Sequence, residues 1–373
     1  MARGYQVCTR CVMDVSAADI TFDASGICNY CTEFMQRSGD IINIDSAERN
    51  LRLSKFVDQV KVDGAGKQYD CIVGVSGGVD SSWVLVKAVE LGLRPLAVHM
   101  DNGWNSELAQ SNISSLVKKL NVDLYTHVIE WNEYKALMQA FFDSDVIDVE
   151  LLYDNAMLAV NYRMAAKYNV RHILSGSNQS SEGMSIPAGW NWFKYDRKNI
   201  VSLARRASVR IKTFPLLGTL GYIYFTYLKR IQWESMLDLM PYDKAAAMQA
   251  LQVGFGYKPY PYKHYESIFT RFYQGYILPE KFSVDKRRVH FSTLIMSGQM
   301  SREAALQDLE NIPYPSERAL TEDRQYFLKK MGWSESMLEN YLSRREQHHA
   351  AFGSEIGLWN FCMKVYRTVF KKC

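Results

Sequence analysis

The chain has 373 residues, 47% hydrophobic and 23% charged, a globular balance that excludes a disordered, collagenous or coiled-coil protein and leaves room for two domains or slightly more. Lys and Arg number 44 against 40 Asp and Glu, a net +4 that is too small to argue nucleic-acid binding from charge. Seven cysteines are too few for a disulfide scaffold of this length. Residues 1–40 are punctuated by Cys and turn formers, and the amino terminus lacks the apolar core of a signal peptide. The spacing predicts a helix over 41–68, closing in the loop Asp63-Gly64-Ala65-Gly66. A short buried strand over Tyr69–Val75 comes next, then a helix over Ser81–Leu91 stopped by Gly92. Pro95–Met100 is a second strand, and Ser106–Leu120 a helix with Ile113, Leu116, Val117 and Leu120 on one face. Leu124–Ile129 is a third strand, and a helical stretch over 132–168 leads to a fourth at Val170–Leu174.

Strands separated by helix-length connections predict an α/β fold, a doubly wound parallel sheet that binds ligands outside the carboxyl ends of its strands. The alternation fades after about residue 200. The chain divides accordingly into a Cys-rich module (1–40), an α/β domain (41–200) and a mainly helical C-terminal substrate or partner region (201–373). The stretch Thr213–Leu228 is uncharged but only 16 residues long, broken by Pro215, Gly218 and Gly221. It falls short of a membrane span and reads as a packed helix pair. A cytoplasmic protein without stable membrane insertion is expected. His348-His349 reads as exposed decoration of a polar helix.

The strongest chemical signal is Ser76-Gly77-Gly78-Val79-Asp80-Ser81-Ser82, directly after the first strand and opening a helix. Two glycines let backbone N–H groups approach an anion, three hydroxyls add donors, and the helix N-terminus adds positive partial charge. Asp80 is out of place against a bare phosphate and reads as a Mg²⁺ ligand, with Glu182 as its second candidate. Gly64-Ala65-Gly66-Lys67-Gln68 only glances at a Walker loop: position 61 is Lys, and Gln68 replaces the hydroxyl that would bind Mg²⁺.

Cys8-x-x-Cys11 and Cys28-x-x-Cys31, 16 residues apart, match a closed four-thiolate structural zinc site. Cys71 reads as a core strand residue, while Cys362 and Cys373 have no partner pattern. The loop Ser175-Gly176-Ser177-Asn178-Gln179 follows the fourth strand and belongs beside the phosphate loop. Further on, Lys263-His264-Tyr265-Glu266, Arg271-Phe272, Lys281-Phe282 and Asp285-Lys286-Arg287-Arg288 interleave basic and aromatic residues. They suit a triphosphate and a second anionic substrate, or else a solvated basic helix surface or an RNA-contacting patch. Lys194–Lys212 carries seven Lys or Arg against Asp196 alone and prefers anions.

The SGGVDSS loop resembles the pyrophosphate (PP) loop of the HUP-like ATP pyrophosphatase superfamily, which implies cleavage of ATP between the α- and β-phosphates. Together with the Cys₄ motif, Asp101-Asn102-Gly103-Trp104-Asn105, Leu174–Asn178 and the segment Lys263–Arg287, the chain resembles an N-acetyl sugar amidotransferase of bacterial lipopolysaccharide, O-antigen or flagellin-sugar synthesis. That resemblance implies an ATP-dependent, AMP- and pyrophosphate-forming enzyme that converts an acetamido group of a nucleotide-activated sugar into an acetamidino group with ammonia. The chain has no glutaminase nucleophile motif. Ammonia is therefore expected from a separate glutaminase, similar to that of imidazole glycerol phosphate synthase, with a cyclase-like channel partner and no nucleic acid.

These readings assign catalysis to Asp80, Lys263, Arg271, Lys281 and Lys286. They assign ATP binding to Ser76, Gly77, Gly78, Val79, Asp80, Ser81, Ser82, His99, Asp101, Gly176, Ser177 and Asn178. Substrate contact falls to Asn102, Trp104, Asp154, His264, Glu266 and Arg287. Where relatives tend to carry Pro-Thr-Asp-His, this chain has Leu152-Tyr153-Asp154-Asn155, so its sugar is open. Two alternatives remain. A tRNA-modifying PP-loop thiolase would need a reactive cysteine, yet none occurs between Cys71 and Cys362. A nucleotide-binding scaffold would not need Asp80.

Overall fold

A computed structural model describes residues 4–260 and 266–370. Five strands among these residues form one all-parallel sheet in the order β3-β2-β1-β4-β5. They are β1 (Cys71–Gly74), β2 (Pro95–Asp101), β3 (Leu124–Val128), β4 (His172–Ser175) and β5 (Gln232–Ser235). Cys71 pairs with Pro95 on one side and His172 on the other, so the order reverses about β1. A crevice opens at such a switch point, outside the carboxyl ends of the strands.

Alternation along the strands explains the layers. Ile72, Leu96, Val98 and Ile173 pack on one face with Leu158, Ala159 and Tyr162. Cys71, Val73, Ala97 and Leu174 pack on the other with Val84, Leu85 and Ala88. Each buried Val, Leu or Ile among them contributes roughly 1.5–3 kcal/mol, so the two faces together fix the register. Cys71 is fully buried, as expected of a core residue, and burial pushes its thiol pKa up.

The sequence-derived boundaries shift in four places. The helix expected over 41–68 is α1 (Asn29–Ile42) followed by α2 (Ser46–Gly64), because Asp45 caps α2 by accepting from the N–H groups of Ala47 and Glu48. After α3 (Val79–Glu90) and α4 (Glu107–Leu120), the helical stretch 132–168 divides into α5 (Trp131–Asp143) and α6 (Leu151–Lys167). The sheet continues past residue 200, where β5 pairs with β4. His348-His349 is not in a helix body: His348 is exposed, but His349 opens a 3-10 turn and is 1% exposed. Its Nε2 accepts from the Asp148 N–H, and its Nδ1 faces the Asn199 side-chain oxygen at 2.8 Å.

The Cys-rich module is bolted to the rest of the chain. Arg302 donates to the carbonyls of Cys8 and Cys11, Ser292 Oγ accepts from the Val12 N–H, and Arg288 pairs with Asp14 at 3.0 Å. Met13, Tyr30 and Phe34 join the same apolar core as the sheet.

Candidate active site

The phosphate loop lies where the sequence placed it. β1 runs into Val75-Ser76-Gly77, and Gly78 caps α3. Gly77 has φ +87°, and a Cβ there would lie 2.9 Å from the Ala109 carbonyl, so only glycine fits. The Ser76 N–H donates to Ser81 Oγ (3.2 Å), and the Gly78 N–H to Ser76 Oγ (3.2 Å), which folds the loop over the helix N-terminus. At Gly176, in the loop after β4, a Cβ would sit 2.7 Å from the Ser81 nitrogen. The second loop therefore touches the first.

Both loops open on a cavity of about 660 Å³. Ser76, Gly78, Val79, Asp80, Ser81, Gly176 and Ser177 line it, as do Glu182, Asp154, Glu266 and Lys286. These residues, distant in sequence, are brought together. Gly77, Ser82 and Asn178 support the loops from behind. The Gly77 carbonyl accepts from Tyr257 and Tyr260, Ser82 is buried, and Asn178 caps the short helix α7 (Gln179–Glu182). His99 also acts at one remove. Its Nδ1 meets the Val75 carbonyl at 2.8 Å and its Nε2 meets Asn105 Nδ2 at 3.0 Å, so Nδ1 carries the proton. Burial lowers its pKa and keeps it neutral.

Asp80 sits in the first turn of α3, where it accepts from the Tyr242 hydroxyl and pairs with Lys244 (3.2 Å). Burial, reinforced by Asp80, pushes the Tyr242 phenol well up, so it stays a donor. Neither residue was singled out from sequence, because nothing local marks Tyr242-Asp243-Lys244.

The cavity lining also includes an acidic–basic wall. Lys194 reaches Asp148 (2.7 Å) and Asp154 (2.8 Å), while Glu150 accepts from Lys286 (2.9 Å) and Gln274 (2.7 Å). Burial alone would raise the Asp148 pKa, but Lys194 and Lys286 outweigh it and hold the carboxyl below its ordinary range. At Asp154 burial wins over Lys194, with Asp148 and Glu150 adding repulsion, and the pKa goes up. Tyr153 lines the cavity beside Asp154. Leu152 and Asn155 do not: Leu152 is core, and Asn155 donates to the carbonyls of Lys194 and Leu217. Asn161, also in the wall, has a buried Oδ1 without a hydrogen-bond partner, an acceptor available to a ligand donor.

Several expected site residues are engaged elsewhere. Arg271 is taken up by Asp323 through two nitrogens. Lys281 has a fully buried side chain that donates to the carbonyls of Tyr341 and Arg344 and pairs with Asp145 (3.1 Å). Arg287 clamps Asp285 and the Asp308 and Asn311 carbonyls. Asp101 binds the Gly103 N–H, Asn102 binds the Trp104 N–H, and Trp104 is core. None of the six lines the cavity. Lys263 and His264 lie outside the described residues.

Cys8, Cys11, Cys28 and Cys31 converge, fully buried, with three sulfur–sulfur distances of 3.7–3.9 Å. Tetrahedral zinc with Zn–S of about 2.3 Å needs sulfurs roughly 3.8 Å apart, so the donor set fits zinc. Backbone N–H groups of Cys11, Met13 and Cys28 point at the sulfurs, as suits thiolates. Asp80 and Glu182, hard oxygen donors lining the same cavity, suit Mg²⁺.

Residues 51–185 match the family model described as NAD synthase, and residues 266–366 match the one described as LPS biosynthesis protein WbpG-like, C-terminal domain. Among solved structures, the chain is similar to NMN synthetase from Francisella tularensis (15% identity, 59% of this chain and 99% of that chain, TM-score 0.31). It is also similar to the NH3-dependent NAD synthetase from Campylobacter jejuni subsp. jejuni NCTC 11168 in complex with the nitrate ion (17% identity, 59% and 100%, TM-score 0.30). No match was found among curated proteins. The chain thus joins a PP-loop domain of NAD-synthase type to a WbpG-like C-terminal domain.

Proposed function

We propose that this chain is an ATP-dependent amidotransferase of lipopolysaccharide synthesis that converts an acetamido group on a nucleotide-activated sugar into an acetamidino group. The observation that carries this reading is the make-up of the cavity lining. It combines a loop and helix N-terminus suited to phosphate with paired charges on Asp154, Glu150, Lys194 and Lys286 suited to a polar second substrate. Both matched domains contribute to the cavity: the loop, Glu150 and Asp154 fall within 51–185, and Glu266, Gln274 and Lys286 fall within 266–366.

The chemistry follows from the groups present. An amide carbonyl resists ammonia because its oxygen is a poor leaving group. Attack of that oxygen on the α-phosphorus releases pyrophosphate and leaves an imidoyl adenylate. Ammonia then adds to the imidoyl carbon, AMP departs with the oxygen, and loss of a proton gives the acetamidine. Loop N–H groups and the start of α3 would stabilise charge on departing pyrophosphate. Mg²⁺, held by Asp80 and Glu182, would supply Lewis-acid neutralisation of the phosphates. Lys244 would be freed from Asp80 to face them. Asp154, whose pKa burial raises, would take a proton from the incoming nitrogen.

Ammonia would come from a separate glutaminase with a cyclase-like channel partner. Among the described residues no cysteine lines the cavity, which speaks against the thiolase reading. The test is to incubate pure protein with ATP, Mg²⁺, ammonium and a panel of acetamido nucleotide sugars. AMP formation that depends on one sugar, with replacement of oxygen by NH in its mass, is expected. ADP formation, or AMP formation indifferent to sugar, would overturn the proposal.

A further inference from the structure

Two surface stretches outside the cavity share an unusual chemistry. Thr219–Ile223 is a short helix that runs on as a π turn over Tyr224–Leu228. Leu220, Tyr224 and Leu228, four residues apart, are 67%, 44% and 72% exposed. The C-terminal helix Ile356–Phe370 packs beside this segment, with Trp359 against Tyr222 (5.0 Å) and Tyr366 against Tyr227 (4.6 Å). That contact uses one flank of the helix. A second stripe, Leu358, Phe361 and Val365, points outward and is 40%, 65% and 45% exposed.

Charge within these two stretches has one sign, although Glu355, just before the C-terminal helix, accepts from the Thr219 N–H at the start of the first. Residues 197–230 contain eight Lys or Arg and no Asp or Glu, and residues 356–373 contain four and none. Those cations exceed the net charge of the whole chain, so the remainder is acidic on balance. Lys229 and Arg230 directly follow Leu228, and Lys364 and Arg367 lie on the C-terminal helix, all four exposed. Soluble surfaces rarely cluster large apolar side chains in this way without a partner. A second copy would set basic surface against basic surface, which like-charge repulsion opposes.

We propose that this face docks on a bilayer bearing anionic headgroups. Apolar side chains from two neighbouring segments would enter the headgroup–acyl boundary, the tyrosines would sit at its polar edge, and the flanking Lys and Arg would meet lipid phosphates. No helix among the described residues is long and apolar enough to cross a membrane, so the contact is with the surface. The inference stands apart from the reaction assigned to the cavity.

The test is flotation of the full chain with phosphatidylcholine vesicles, with and without phosphatidylglycerol, across a salt series. Flotation that needs phosphatidylglycerol and weakens with salt is expected. The variant Leu220→Ser, Leu228→Ser, Phe361→Ser should partition at least about tenfold less, with unchanged melting. A second variant, Lys229→Gln, Arg230→Gln, should lose the preference for anionic vesicles while remaining folded. Absence of flotation, flotation indifferent to lipid charge, or equal partitioning of folded variants would overturn the proposal. So would a solution dimer that the same substitutions dissociate.

Discussion

The Lys194 ammonium lies 2.8 Å from the Asp154 carboxylate and 2.7 Å from that of Asp148, bridging the cavity wall to a buried acid. Burial would lower the Lys194 pKa, but Asp148 and Asp154 raise it, so the lysine stays charged. Lys194→Met leaves Asp148 buried without its main counter-ion. A stability loss of about 3 kcal/mol is expected from breaking a buried pair, measured by denaturant unfolding. Turnover of the sugar should fall further than the KM for ATP rises, because the lysine pairs with Asp154 and Asp148 rather than with the phosphate loop. An unchanged denaturation midpoint would remove Lys194 from the wall's structure.

Asp80 is the acid proposed to hold a divalent cation beside the phosphate loop. Asp80→Asn keeps the Tyr242 contact in shape but removes the charge that would hold a divalent cation. AMP formation should fall by about 10²-fold or more with little change in melting, checked by quantifying AMP against time. Retained turnover would take Asp80 out of the mechanism.

Gly176→Ala tests the contact between the two loops. Its Cβ would meet backbone atoms of Asp80 and Ser81 at 2.7–2.9 Å, and backbone cannot step aside as a flexible side chain can. Weaker ATP binding by titration calorimetry is expected. Gly254→Ala, in an exposed helical position with open space, should instead stabilise by up to about 1 kcal/mol. Equal effects of the two would contradict the geometry.

Zinc and stability should fall together. Cys28→Ser removes one of four converged sulfurs in a module that Arg302 and Ser292 tie to the C-terminal region. Lower metal content by mass spectrometry and a lower Tm are both expected. Full zinc with an unchanged melting curve would contradict a structural site.

His349 gives the fold a pH dependence. Burial lowers its pKa to about 4, below the unfolded value of about 6.5. The folded state therefore favours the neutral ring. Its contribution is fully present above about pH 6.5 and is lost as pH falls from there through about 4, by roughly 3 kcal/mol. The difference in unfolding free energy between the native protein and His349→Gln should shrink across that window, measured by urea titration. A difference constant with pH would show that His349 does not titrate on unfolding.

What the sequence disclosed was local. The phosphate loop, the cysteine pairs and the Ser175–Asn178 loop are each complete within a few residues of a strand or turn, so their chemistry could be read before their neighbours were known. The acidic–basic wall was only partly legible: Asp154 and Lys286 were named, but Glu150, Gln274 and the Lys194–Asp148 pair come from separate elements with no shared motif, and Tyr242 and Lys244 beside Asp80 carry no local signal. Charge density misled at Arg271, Lys281 and Arg287: the acids Asp323 and Asp145 that take up the first two are distant in sequence, and Asp285, which takes up the third, is two residues away. A run of cations looks the same whether it faces a phosphate or a buried carboxylate. β5 was missed because four residues of mixed polarity, Gln232–Ser235, carry no strand pattern outside the sheet they complete.

The central claim is that the acetamido oxygen itself is adenylated. A sugar substrate labelled with ¹⁸O in that carbonyl, turned over with ATP and ammonium, tests it directly by mass spectrometry of the nucleotide product. The account predicts one ¹⁸O in the phosphate of AMP and none in the acetamidino sugar. Label retained on the sugar, or AMP free of label, would contradict it.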